Sequence, residues 1–247
     1  MPVISSSQNP TIKLVRSLAE KKYREQYGLF VAEGEKVLER ARETGWVPDT
    51  LLSVGPAKPW GESTILEVTR EVMASVSAQK NPPPLIATFH PKWLPKAEAT
   101  GLWLALEDIR DPGNLGTIIR TADAAGARGI ILAGSSCDPW SPDCVRATMG
   151  SIFAVPLHRM GTSDLIALIK SWPGETVGTH LQATEDYRRP YQSPTLLIMG
   201  SEGQGLSDRV AEACATLVRI PMKSGPESLN LAVASGLVLF EAAFPRN

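Results

Sequence analysis

Three stretches of the chain combine residue types that could recognise a polar ligand. The first, Glu107-Asp-Ile-Arg-Asp-Pro-Gly-Asn114, carries carboxylates, a guanidinium and an amide. The second, Gly200-Ser-Glu-Gly-Gln-Gly-Leu-Ser207, is glycine-rich, and glycines let a ligand approach backbone N–H and C=O groups closely. It is neither the G-x-G-x-x-G dinucleotide fingerprint nor a P-loop. The third runs from Pro221 to Asn230 and sets Lys223, Glu227, Ser228 and Asn230 at the mouth of a helix, where backbone N–H groups have no intrahelical acceptor. Taken singly, each stretch has an ordinary explanation as a cap, a turn or a solvated loop. Metal and thiol chemistry find little support. The three cysteines, Cys137, Cys144 and Cys214, include no C-x-x-C pair, and His90, His158 and His180 lie far apart. Neither a disulfide framework nor a zinc site is suggested.

What must position these stretches is an alternation of strand and helix. Residues 102–106 (LWLAL) form a continuous apolar run of the kind found in buried parallel strands. Asn114 is a plausible N-cap for a helix whose buried stripe is Leu115, Ile118, Ile119 and Ala122, ended by Gly126. Arg120 and Asp123 point away from that stripe. Further strands are predicted at 129–133, 153–156, 175–180, 195–199 and 216–220, with helices at 141–149, 164–172 and 208–213. Ser228 is the expected cap of the last helix, with Leu229, Ala232, Val233, Gly236, Leu237 and Phe240 on one face. Six such alternations predict an open parallel sheet covered on both faces. Ligands bind such sheets at the carboxyl ends of strands, where all three polar loops fall.

Ahead of this lies a second pattern. Asn9-Pro10 opens a predicted helix to about Tyr27, with Ile12, Val15, Leu18 and Ala19 on one face and Gly28 as its stop. Lys13, Arg16, Lys21, Lys22 and Arg24 occupy the other, either as a solvated face or as a phosphate-binding one. Strands at 29–33, 50–54, 64–68 and 85–89, with helices at 34–44 and 69–78, predict a small α/β layer domain. The division is therefore 1–92, a Pro-, Lys- and Ala-rich linker at 93–101, and 102–247. At 247 residues the chain is long enough for both parts. Its net charge of −1 confines any nucleic-acid binding to local patches. No signal-like N-terminal pattern and no membrane-length apolar run is present, so a cytoplasmic setting is expected.

The segments Asp111-Pro-Gly-Asn-Leu-Gly-Thr-Ile-Ile-Arg-Thr-Ala-Asp123, Ile198-Met-Gly-Ser-Glu-Gly-Gln-Gly-Leu-Ser207 and Ile220-Pro-Met with Glu227-Ser-Leu-Asn-Leu-Ala232 resemble, in order and spacing, the three motifs of the SpoU (TrmH) family of RNA 2′-O-ribose methyltransferases. Asn9-Pro, Lys13, Tyr23-Arg24 and Phe30-Val-Ala-Glu-Gly34 resemble the substrate-binding domain that often precedes them. The resemblance implies an α/β-knot of the SPOUT class, a deep trefoil, after a small α/β RNA-binding domain like those of ribosomal proteins. It implies S-adenosyl-L-methionine as cofactor, a homodimer, no metal, and an RNA partner, ribosomal RNA ahead of transfer RNA. Cofactor-binding positions would be Thr179, His180, Leu181, Leu197, Met199, Gly200, Glu202, Gly203, Ile220, Pro221, Met222, Ser228, Leu229 and Ala232. Catalytic positions would be Arg120, Asn114, Glu202, Ser228 and Asn230, and Arg110 joins the basic helix face as an RNA contact. An RNA-binding assembly factor that holds the cofactor without turnover is the alternative. A dehydrogenase ranks last, for want of the glycine fingerprint after the first strand.

Overall fold

The computed structural model describes residues 3–223 and 228–244, which divide into two compact units. One holds the chain up to Pro91 together with Asp138–Ala154; the other holds Lys92–Cys137 and the chain from Val155 onward. The sequence division left residues 138–154 in the second domain, whereas they pack with the first unit. Glu227 and Pro226 of the third polar stretch lie outside the described residues.

The first unit begins with α1 (Pro10–Ser17) and α2 (Lys21–Tyr27), where one continuous helix was expected. The break has a local cause. Ser17 Oγ donates to the Leu14 carbonyl at 2.7 Å, and the Arg24 guanidinium takes the Leu18 and Ala19 carbonyls, each at 2.8 Å. Arg24 is thus no RNA contact. It is buried and pairs with Asp138 at 2.7 Å, so its charge is spent inside the unit. Gly28, in the left-handed region at φ 61°, ends α2 as the sequence requires.

Next come β1 (Phe30–Glu33), α3 (Glu35–Glu43), β2 (Thr50–Ser53), β3 (Thr64–Glu67), α4 (Arg70–Val76) and β4 (Leu85–Phe89). The strands form one mixed sheet in the order β1-β4-β2-β3, with only the β2–β3 pair parallel. On one side Ile12, Val15 and Leu18 pack with Val31, Val72 and Ile86. Phe30, Trp46 and Phe89 meet Trp140 and Phe153 from the later segment. Ring centroids lie 4.7 Å apart for Phe30–Trp140 and 4.8 Å for Phe89–Phe153. Trp46 Nε1 donates to the Phe153 carbonyl at 2.9 Å, so the buried indole is satisfied.

The second unit is built on β5 (Leu102–Glu107), α5 (Pro112–Ala124), β6 (Gly129–Ala133), β7 (Leu157–Met160), α7 (Thr162–Ser171), β8 (Glu175–Thr179), β9 (Glu185–Asp186), β10 (Thr195–Met199), α8 (Asp208–Ala211), β11 (Thr216–Arg219) and α9 (Leu231–Ala243). Between β6 and β7 the chain supplies α6 (Pro142–Ala147) to the first unit. All strand pairs of the second unit are parallel, in the order β7-β6-β5-β10-β8-β11-β9. The strand expected at 153–156 is instead a 3-10 turn at Ser151–Phe153, with β7 following. Phe153 looked like a strand residue because it is apolar, but it fills the aromatic cluster. The core strands β5, β6 and β10 are buried along nearly their whole length, which accounts for their unbroken apolar runs. The order places β10 between β5 and β8. The chain leaves β5 in one direction along the sheet and returns to it from the other, the arrangement that opens a crevice at the carboxyl ends.

Candidate active site

Two of the expected helix caps are displaced, and the displacement frees side chains for the site. The N-cap of α5 is Asp111, whose Oδ1 accepts from the Asn114 amide at 2.6 Å, with Pro112 in the first turn. Asn114 is therefore inside the first turn with its side chain uncommitted to capping. Its Nδ2 donates to Glu202 Oε1 at 3.1 Å, and its Oδ1 accepts from Asn230 Nδ2 at 3.0 Å. The N-cap of α9 is Asn230, not Ser228. Asn230 Oδ1 accepts from the Ala232 and Val233 amides at 2.9 and 3.3 Å. One chain of hydrogen bonds, from the α9 amides through Asn230 and Asn114 to Glu202, thus ties together all three polar stretches.

Beside this chain lies a cavity of about 350 Å³ at the carboxyl ends of β8, β10 and β11. Its floor is backbone. His180 N–H donates to the Val218 carbonyl at 2.9 Å, joining the ends of β8 and β11. Ser201 and Gly205 exchange two backbone hydrogen bonds at 3.1 and 3.0 Å, folding 201–205 into a tight hairpin. Gly200 is compulsory there. A Cβ on it would lie 1.9 Å from the Gly205 carbonyl carbon. Gly205 itself takes φ 70°, natural to glycine alone. The walls are mixed: Leu181, Met199, Ile220 and Leu229 are apolar, while Thr179, His180, Glu202 and Ser228 are polar.

Of the residues singled out as cofactor-binding, Thr179, His180, Leu181, Met199, Gly200, Glu202, Gly203, Ile220, Met222, Ser228 and Leu229 line this cavity. Leu197, Pro221 and Ala232 do not. Leu197 is fully buried inside β10. Ala232 is turned toward a shallow depression with Tyr187, Gly236 and Phe240. Gln182, Gln204 and Arg219 line the cavity and were not singled out: Gln204 sits in the glycine-rich stretch without standing out there, and Gln182 and Arg219 fall outside the motifs. Arg120 is exposed on α5 and is not among the lining residues; its neighbour Thr121 packs at Gly236 of α9. Arg110, Lys13, Arg16, Lys21 and Lys22 are exposed. Lys21 pairs with Glu25 at 3.6 Å and Lys22 with Glu20 at 3.0 Å. Cys214 offers no nucleophile: burial pushes its thiol up to about 12, and Sγ donates to the Val210 carbonyl.

Residues 101–240 match the SpoU rRNA Methylase family, and residues 9–87 match the MRM3-like substrate binding domain. The 23S rRNA guanosine 2′-O-methyltransferase RlmP of Bacillus subtilis is 30% identical over 97% of this chain and 98% of its own length. Among solved structures, an AdoMet-bound rRNA methyltransferase from Sinorhizobium meliloti superposes with a TM-score of 0.89 at 39% identity, covering 97% of this chain and 96% of that one. The SpoU methyltransferase AviRb from Streptomyces viridochromogenes, in complex with AdoMet, gives a TM-score of 0.83 at 28% identity, over 96% and 97% of the two chains.

Proposed function

Since the chain belongs to the SpoU rRNA methylase family, we propose that it methylates the 2′-hydroxyl of a ribose in ribosomal RNA, with S-adenosylmethionine as methyl donor. The observation that carries this reading is the Asn230–Asn114–Glu202 chain at the rim of the cavity, because it joins three segments far apart in sequence at one place. The cavity fits the donor. Its volume is at the lower end of the ~300–1,000 Å³ typical of cofactor sites, and its lining mixes apolar walls with a few polar groups. The glycine hairpin of 200–205 presents backbone where a side chain would intrude.

S-adenosylmethionine supplies the electrophilic methyl group. The protein's share is orientation and the handling of a proton. We assign Thr179, His180, Leu181, Met199, Gly200, Gly203, Ile220, Met222 and Leu229 to holding the donor, with Leu197 supporting from behind. Asn114 and Asn230, locked by their mutual hydrogen bond, orient the ribose. Glu202 fixes the hairpin through Asn114, and Ser228 meets the hydroxyl or its phosphate. Arg120 grips the phosphate beside the target ribose through its planar donor fork, because a guanidinium stays protonated and makes a poor base. Lys13, Arg16, Lys21, Lys22 and Arg110 serve as further backbone contacts to RNA.

Two copies are proposed to meet through α9, whose exposed Val233, Leu237, Phe240 and Phe244 form one apolar stripe. The trefoil knot of the family is proposed for the carboxyl-terminal segment, to be checked by a crystallographic chain trace. A cytoplasmic setting follows from the ribosomal substrate.

The test is radiolabelled methyl transfer to ribosomal RNA by the native chain and by Arg120→Ala. The variant is expected to lose about a hundredfold or more in kcat, the scale of losing a positioned charge contact to the reacting group. Equal incorporation removes Arg120 from the mechanism. Cofactor binding by calorimetry without any methylated nucleoside would establish an assembly factor instead.

A further inference from the structure

The first unit contains a cavity of its own, of about 290 Å³, which the assignments above leave unused. Val31, Val37 and Val145 line it, and Lys36, Gln79 and Met149 stand at its rim. Building on the reading of the chain as an RNA methyltransferase, we propose that this cavity receives a single unstacked nucleobase of the substrate RNA.

Several features favour a base over other occupants. The walls include the aliphatic side chains of Val31, Val37 and Val145, an apolar surface against which the face of an extruded base can pack. The rim carries an exposed apolar side chain, Met149 at 52% exposure, beside a concavity, and a thioether makes favourable contacts with aromatic rings. Gln79 Nε2 donates to Glu33 Oε2 at 3.4 Å, which leaves its amide oxygen to accept from the edge of a base. The charge balance argues against a bare anion. Glu33 and Glu35 offset Lys36 and Arg146, and Arg146 is already paired with Asp143 at 2.7 Å. Glu33 is itself engaged, by the Ser77 hydroxyl at 2.6 Å and the Ala78 amide at 2.9 Å, so it does not need a cation. Lys36 is exposed at the rim, placed for the phosphate next to the inserted base. Sequence-specific recognition of RNA commonly works this way, on bases splayed out of their stack.

Ala78 is exposed at the cavity edge, so Ala78→Trp fills the space without disturbing a buried position. The probe is an in vitro transcript of 23S ribosomal RNA, retained on filters. We expect Ala78→Trp to weaken retention about tenfold or more, with S-adenosylmethionine affinity unchanged by calorimetry. Ultraviolet crosslinking of the native protein to the same transcript should place nucleotide adducts on the peptides that contain Val31–Val37 or Val145–Met149. Native-like retention by Ala78→Trp, or adducts confined to other peptides, overturns the proposal while methylation itself stands. Loss of transcript binding to added inorganic phosphate alone, at constant ionic strength, also overturns it, since the site would then be an anion site. A native protein that binds cofactor yet neither binds nor methylates ribosomal RNA sinks both this proposal and the functional reading.

Discussion

Glu107 shows how much of the site rests on a residue outside the cavity. It is 3% exposed, and its carboxylate accepts from the Ser207 amide at 2.9 Å and the Ser207 hydroxyl at 2.8 Å. Those bonds pin the far end of the glycine hairpin to the end of β5. A buried carboxylate without such partners would be costly, so the pair stabilises the loop only as a unit. Glu107→Ala is expected to weaken cofactor binding about tenfold by loosening that loop, at a cost of roughly 1–3 kcal/mol in stability. Glu107→Gln, which keeps an acceptor, should recover most of the affinity. Calorimetric titration with the cofactor and thermal melts of both variants check this; equal loss in the two would show that charge, not the hydrogen bond to Ser207, is what matters. At this scale the sequence was partly legible. Asn114, Glu202, Ser228 and Asn230 stand out by type and motif. Which asparagine caps and which reaches across was not, because Asp111 and Asn114, like Ser228 and Asn230, are both acceptable caps three or two residues apart. The winner is decided by Pro112 at one helix and by a partner 116 residues away at the other.

Among the elements, α9 carries two tasks on two faces. Leu231, Ser235, Val238 and Leu239 are buried against the unit, while Val233, Leu237, Phe240 and Phe244 recur at helical spacing on the outside. A helix apolar all round is ordinarily enclosed, and within the chain only half of this one is. Phe240→Glu should therefore turn a dimer into a monomer in sedimentation equilibrium, leaving the melting transition cooperative. A native chain that sediments as a monomer at all concentrations would sink the proposed pairing. Helices and core strands were readable because apolar periodicity reports which faces are covered. The errors fall where a polar contact cuts across periodicity. The pattern of 9–27 is helical throughout, yet Arg24 draws the Leu18 and Ala19 carbonyls out of line. The two-residue β9 has no pattern to read; it exists only because Val218 and Arg219 of β11 offer an edge.

For the molecule as a whole, the sequence suggested two successive domains and the contacts draw the boundary differently. Composition marks 93–101 as a linker, and nothing local announces that residues 138–154 belong to the other side. That assignment lives in pairs such as Arg24 with Asp138 and Trp46 with Phe153, each more than a hundred residues apart. A fragment of residues 102–247 leaves Trp140 and Phe153 without their aromatic neighbours and Asp138 without its guanidinium, so it is expected to aggregate or to melt without a cooperative transition. A monodisperse fragment with a sharp calorimetric peak would contradict this.

The same discontinuity bears on how new specificities are made from such enzymes. Exchanging the amino-terminal ninety or so residues between relatives looks like a clean graft, but the donor piece arrives missing a helix that the recipient must furnish. The unit of recombination is a mosaic of two stretches, and a chimera retains a satisfied interior only if Asp138, Trp140 and Phe153 travel with the partners they were fitted to.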